Sequence, residues 1–167
     1  MGAKVKLSIP SSVWTAKDSA RLASDTLASI KLRTSKGIDA NGEQFKEYSQ
    51  ESIYVSKRGA RLAPKGGQPS RTGKSVYYDG GYWEYKHDSR RRSSLAGSAD
   101  VDLVLSGNMM NNLVVKQATK QGFTIGLTSK AGYGYYVNVD REFLGLSEDD
   151  VEMLMEAVAL ELRKKLK

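Results

Sequence analysis

The sequence predicts an α+β fold: a small, mainly antiparallel sheet packed by long N- and C-terminal helices, with an inserted β-hairpin arm. Three observations carry this. Apolar residues recur at helical spacing near both ends, at Val13, Ala16, Ala20, Ala23, Leu27 and Ile30 and again at Val151, Leu154, Met155, Val158, Leu162 and Leu166. Between them, residues 113–118 and 123–127 are strand formers separated by Lys120, Gln121 and Gly122. Residues 59–100 form a basic block that interrupts the pattern, read as an insertion within one domain over 1–167. A chain of 167 residues, 40% of them hydrophobic, is long enough to bury a core of its own.

Taken in order, Val5, Leu7 and Ile9 alternate with Lys4, Lys6 and Ser8, the period of a strand with one buried face, and Pro10 ends it. Ser11 or Ser12 is the expected cap of the first helix. That helix should close at Lys36-Gly37, where glycine accepts a left-handed backbone. Asp39 and Asn41-Gly42 then make a turn, with Phe45 and Tyr48 anchoring its far side on the core. Residues 50–58 favour neither helix nor strand, and 59–73, rich in Gly, Pro, Ser, Lys and Arg, reads as a loop.

Val76, Tyr77, Tyr78 and then Tyr82, Trp83, Tyr85 flank Asp79-Gly80-Gly81, which predicts a hairpin with aromatics on both strands. Arg90, Arg91 and Arg92 follow at once, and residues 93–100 read as a linker. Ser106 is placed to cap a short turn through Asn108, Met109 and Met110. The segment from Ala131 to Asp140 is aromatic and glycine-rich, suited to core and edge packing. Ser147 with Glu148, Asp149 and Asp150 is the clearest helix start, a serine cap followed by acids that oppose the helix dipole. Arg163, Lys164, Lys165 and Lys167 complement the other end.

Composition excludes more chemistry than any motif supports. There is no cysteine, so no disulfide, no thiolate metal site and no cysteine nucleophile. The only histidine, His87, sits beside Asp88 with neither zinc spacing nor a nucleophile elbow. The loop after Asp39 lacks the ligand spacing of an EF-hand. The run before Gly73-Lys74-Ser75 fails the phosphate-loop pattern, because Gln68 stands where the first glycine is required. No enzyme activity, cofactor or metal is therefore expected. The first residues lack the apolar run of a signal peptide, and no membrane partner is expected.

The formal charge is +7. Lys57, Arg58, Arg61, Lys65, Arg71, Lys74, Lys86 and Arg90 to Arg92 gather in the middle of the chain. The zone reads either as a solvated loop or as a contact for nucleic acid or an acidic protein surface. Tyr77, Tyr82, Trp83, Tyr85, Arg90, Arg91 and Arg92 are the candidate subunit or partner interface, since aromatics and Arg favour such surfaces. Arg71 and Lys74 are the candidate DNA-facing charges. The competing reading makes the aromatic hairpin and the arginine cluster a basic nucleic-acid-binding module that stacks single-stranded bases.

One set of residues also resembles a known family. Gly37, Asp39, Gly42, Phe45 and Tyr48, then Leu105, Ser106, Gly107 and Met109, then Tyr135 and Tyr136, then Arg141, Phe143, Leu144, Gly145 and Ser147 stand in an order similar to that of the phage virion-morphogenesis family of tail-completion, tail-terminator and head-tail joining proteins. Val137 and Asp140 stand where members often carry histidine and glycine, and the 59–100 block is longer than usual in the family. The resemblance implies a tail-terminator-like fold and a non-catalytic virion protein of the neck or tail. It implies self-association into a homo-oligomeric ring that meets tail-tube or head-connector proteins, with non-specific DNA contact through the ring, and host cytoplasm as the place of assembly.

Overall fold

The first long helix starts where a reciprocal pair of hydrogen bonds fixes it. In a computed structural model describing residues 2–10, 13–60, 62–90 and 101–166, Thr15 caps α1 (Ala16–Ser35). The Thr15 side chain accepts from the Asp18 backbone N–H, and the Asp18 carboxylate accepts from Thr15 N–H at 2.8 Å. The cap expected at Ser11 or Ser12 lies outside the described residues, and the helix opens later than that reading required. Lys36 closes it, and Gly37 follows at φ 78°, as the spacing predicted.

The buried side of α1 is Ser19, Leu22, Ala23, Thr26, Ile30, Arg33 and Thr34. Ala23 and Ile30 are in the predicted stripe, but Ala16 and Ala20 are exposed. Polarity misled the pattern here. Thr26 and Thr34 return their hydroxyls to the carbonyls of Leu22 (2.8 Å) and Ile30 (2.7 Å), so their polar atoms are satisfied inside the helix and both residues can face the core.

Helix α1 packs on a three-stranded antiparallel sheet of order β1-β6-β5, formed by β1 (Ala3–Lys6), β5 (Leu113–Thr119) and β6 (Gly122–Leu127). The predicted pair of late strands is present, with a register shift between Val115 and Gln117. Strand β1 is shorter than its alternation suggested and ends at Lys6, although Leu7 N–H still reaches the Gln121 carbonyl at 2.7 Å. Phe123, Ile125 and Leu127 of β6 are buried with Trp14, Leu22, Ile30 and Phe143 in the main core.

A second sheet, order β2-β4-β3, occupies the region read as loop and arm: β2 (Ile53–Ser56), β3 (Gln68–Pro69) and β4 (Ser75–Tyr78). The expected hairpin does not form. After β4 the chain turns at Gly81, φ 70°, into α2 (Gly81–Ser89). Glu84 accepts from Gly80 N–H at 2.7 Å, and Tyr82, Tyr85 and Ser89 recur every three or four residues, a helical period rather than a strand's. The 59–73 segment is tied down: the Tyr85 and Tyr78 hydroxyls donate to the Leu62 and Lys65 carbonyls, each at 2.6 Å. Val76, Tyr78 and Tyr85 form a satellite core that Tyr82 joins to the main one.

The remaining elements are α3 (Asn108–Asn111), a 3-10 turn (Ser129–Ala131), α4 (Gly134–Asp140) and α5 (Glu148–Lys165). Gly107, φ 79°, opens α3, while Ser106 Oγ accepts from Asn108 N–H at only 3.5 Å. Ser147 caps α5 through a capping box with Asp150, as expected. Its apolar stripe, however, divides. Leu154 is buried and Ala157, Val158 and Leu162 are half-buried against the core, whereas Val151, Met155 and Leu166 are exposed. The cause is the way α5 lies on α1. The two run antiparallel, joined by polar contacts between Asp18 and Lys165, Arg21 and Glu161 (3.2 Å), and Arg33 and Asp150. One flank of α5 alone can then reach the core.

Candidate functional site

Two stretches far apart in sequence, 37–48 and 141–147, meet in space. In the first, the Asp39 carboxylate accepts from the N–H groups of Asn41 (2.8 Å) and Glu43 (2.9 Å), and Phe45 N–H returns to the Gly37 carbonyl at 2.8 Å. This closed turn buries Phe45 and Tyr48. The second segment locks onto it. Arg141 donates to the Lys46 carbonyl through Nε at 3.0 Å and to the Glu47 carbonyl through Nη2 at 2.8 Å. Ala40 N–H reaches the Glu142 carbonyl at 2.7 Å.

Gly145 permits this approach, since a Cβ there would meet the Ala40 methyl at 2.5 Å. Beneath it, buried Arg33 donates to the carbonyls of Phe143 (3.0 Å) and Gly145 (2.9 Å) and pairs with Asp150. Ser29 also donates to Asp150. Asp150 was legible in sequence only as a first-turn acid. Its role as the socket for Arg33 had no local signal.

A second buried node lies under Tyr48. Lys86 Nζ is 2.6 Å from Asp102 Oδ1 and 2.8 Å from the Tyr48 hydroxyl, and Arg90 is 2.7 Å from Asp102 Oδ2. Val104 N–H donates to Asp102 at 3.0 Å, and Leu103 N–H to Tyr48 at 3.1 Å. Leu103 itself stands at φ 54°, a left-handed conformation that a β-carbon disfavours. Burial lowers the Lys86 ammonium below its ordinary range, against the pull of Asp102, and burial raises the Tyr48 phenol.

A lysine so perturbed would be a candidate nucleophile if a substrate could reach it. A groove of about 720 Å³ is lined by Tyr48, Tyr54, Tyr82, Leu105, Met109 and Arg141 among others, but Lys86 and Asp102 are not in its wall. The node therefore has the geometry of a fastening between α2 and the strained turn. Among the described residues, no group of three or more His, Cys, Asp or Glu is placed to hold a metal ion, and no helix is long and apolar enough to cross a membrane.

The predicted interface residues are scattered. Tyr85 is buried and Tyr82 half-buried within the protomer, so neither presents a ring on a projecting arm. Trp83 is 39% exposed and stacks on His87, ring centroids 5.4 Å apart. Tyr77 lies on β4, its hydroxyl on Asp79 at 3.0 Å. Arg90 is drawn inward to Asp102. Arg91 and Arg92 lie outside the described residues, and the base-stacking hairpin that the competing reading required is absent. Arg71 and Lys74 are exposed at the turn between β3 and β4. Sequence reasoning missed Arg33, Lys86 and Asp102 as structural centres, and Tyr54 as an exposed ring. No family model, no curated protein and no solved structure matches the chain.

Proposed function

We propose that this chain is a non-catalytic structural subunit of a phage virion that closes into a homo-oligomeric ring at the head-tail junction and there meets tail-tube or head-connector proteins. Two things support the reading. Two of the loops that resemble the virion-morphogenesis family interlock through Arg141 and Gly145, so these matched residues act in building the fold.

The observation that carries the assembly is the outer flank of α5. Val151 and Met155, 41% and 67% exposed, line one shallow hollow with Leu146, rimmed by Glu148, Glu152 and Glu156. On α4, Tyr136 and Val139 are 80% and 83% exposed. Exposed apolar side chains grouped on one element are available for contact with another chain. A ring needs two different patches on each protomer, and the reading takes the α5 hollow and the α4 surface as that pair.

The test is light scattering coupled to size exclusion, with electron micrographs of the same fractions. A closed ring is expected for the natural sequence, and protomers with an unchanged melting temperature for Val151→Glu/Met155→Glu. A protomer at every concentration of the natural protein would refute the reading.

A further inference from the structure

The second sheet carries a feature that assembly does not use. Its inner face, Ile53, Val55, Val76 and Tyr78, packs on Tyr85 and Tyr82. Its outer face pairs Tyr54 with Tyr77 across β2 and β4, ring centroids 5.0 Å apart, with Gln68 of β3 alongside. Tyr54 is 68% exposed. Beyond one end of the sheet the ladder continues by one pair, Lys57 N–H donating to the Lys74 carbonyl at 3.0 Å, in the register of Val55 and Val76. Arg58 follows Lys57 in a turn held by Ser56, and Arg71 sits in the tight turn closed by Gly73 N–H on the Ser70 carbonyl at 2.8 Å.

Lys57, Arg58, Arg71 and Lys74 are all exposed. None of the four forms an ion pair among the described residues. From Ile53 to Tyr78 the chain has Lys57, Arg58, Arg61, Lys65, Arg71 and Lys74 and no carboxylate at all. The nearest acid along the strands is Asp79, past the far end of β4 and bonded to Tyr77. The fold thus gathers like charges that repel one another at one end of the sheet, with the exposed Tyr54 ring further along the same strand.

We propose that this end of the sheet binds single-stranded nucleic acid, the four cations of its two turns holding phosphates and Tyr54, further along β2, stacking a base. A duplex would engage the cations and leave the ring unused. The combination of a positive track with an aromatic platform fits unpaired bases. The surface is available to a lone protomer, so the inference stands independently of ring formation.

The experiment is fluorescence anisotropy of a labelled fifteen-residue oligothymidylate with the full chain, over a salt series. Binding at low salt is expected, with log K falling against log salt at about −0.7 per phosphate held, so about −3 for four. Lys57→Ser/Arg58→Ser/Arg71→Ser/Lys74→Ser should abolish most of that slope. Arg71→Ser/Lys74→Ser, confined to the turn, should halve it and covers the case in which the fourfold variant fails to fold. Tyr54→Ala should weaken binding about tenfold, the order of one stacked base, with the slope unchanged. Absence of binding at low salt, or an unaltered slope in the twofold variant, overturns the proposal. Equal affinity for a duplex together with no effect of Tyr54→Ala overturns the single-strand assignment. Competition by polyglutamate as strong as by the oligonucleotide would give the surface to a protein partner instead.

Discussion

Lys86 Nζ lies 2.6 Å from Asp102 Oδ1, both side chains almost wholly removed from water, and this pair fastens α2 to the turn at Leu103. Arg90 shares the same carboxylate. Because each ion was desolvated to form the pair, removing one partner strands the other. Lys86→Met or Asp102→Asn should lower the unfolding free energy by about 3–5 kcal/mol. Urea denaturation checks this. The double variant Lys86→Met/Asp102→Asn should be less destabilised than the sum of those two single variants, and strict additivity would show that the two groups are not coupled.

Tyr48 receives hydrogen bonds from Lys86 and from Leu103 N–H. Tyr48→Phe leaves that N–H unpaired and should cost about 1–3 kcal/mol. Burial also sets an alkaline limit. The folded phenol ionises above its ordinary value of 10.0, so the stability tied to its neutral form is whole below pH 10 and declines above it, where the unfolded chain begins to ionise. The natural protein should lose stability more steeply above pH 10 than Tyr48→Phe does. Parallel curves would contradict the assignment.

Asp18 sets an acid limit. Its carboxyl is held at about 2, against an ordinary 3.8, first by the hydrogen bond from Lys165 and then by that from Thr15. A depressed carboxyl gives stability that is present above pH 3.8 and lost as pH falls towards 2. Carbon-13 titration should place Asp18 near 2 in the natural protein and closer to 3.8 in Lys165→Met. An unmoved midpoint would mean that the contact between the start of α1 and the end of α5 does not form in solution.

Gly81 and Gly59 offer a matched comparison, both at positive φ, 70° and 88°. At Gly59 an added methyl meets nothing, so Gly59→Ala should cost only the left-handed backbone term, about 1–2 kcal/mol. At Gly81 it would come within 2.7 Å of both Gln50 C and Ser49 O, so Gly81→Ala must also displace backbone. Melting temperatures should fall further for Gly81→Ala, and equal falls would remove the steric part of the argument.

Local chemistry was sufficient for some elements. The Ser147 cap, the Lys36-Gly37 stop, the Asp39 turn and the β5-β6 pair each depend on residues within a few positions, so the sequence by itself determined them, along with the α+β class. The tertiary structure alone decided the rest. The spacing of Tyr82, Tyr85 and Ser89 already suits a helix, but where that helix starts rests on Gly81 fitting against the Ser49 and Gln50 backbone. Which flank of α5 is buried turned on Arg33 meeting Asp150, 117 positions away. Lys86 and Asp102 are charged residues that a linear reading assigns to solvent, and only their pairing in a shared buried socket offsets the cost of burying them. Contacts between distant residues leave no periodicity in the chain, because the partner that gives each its environment is supplied by folding.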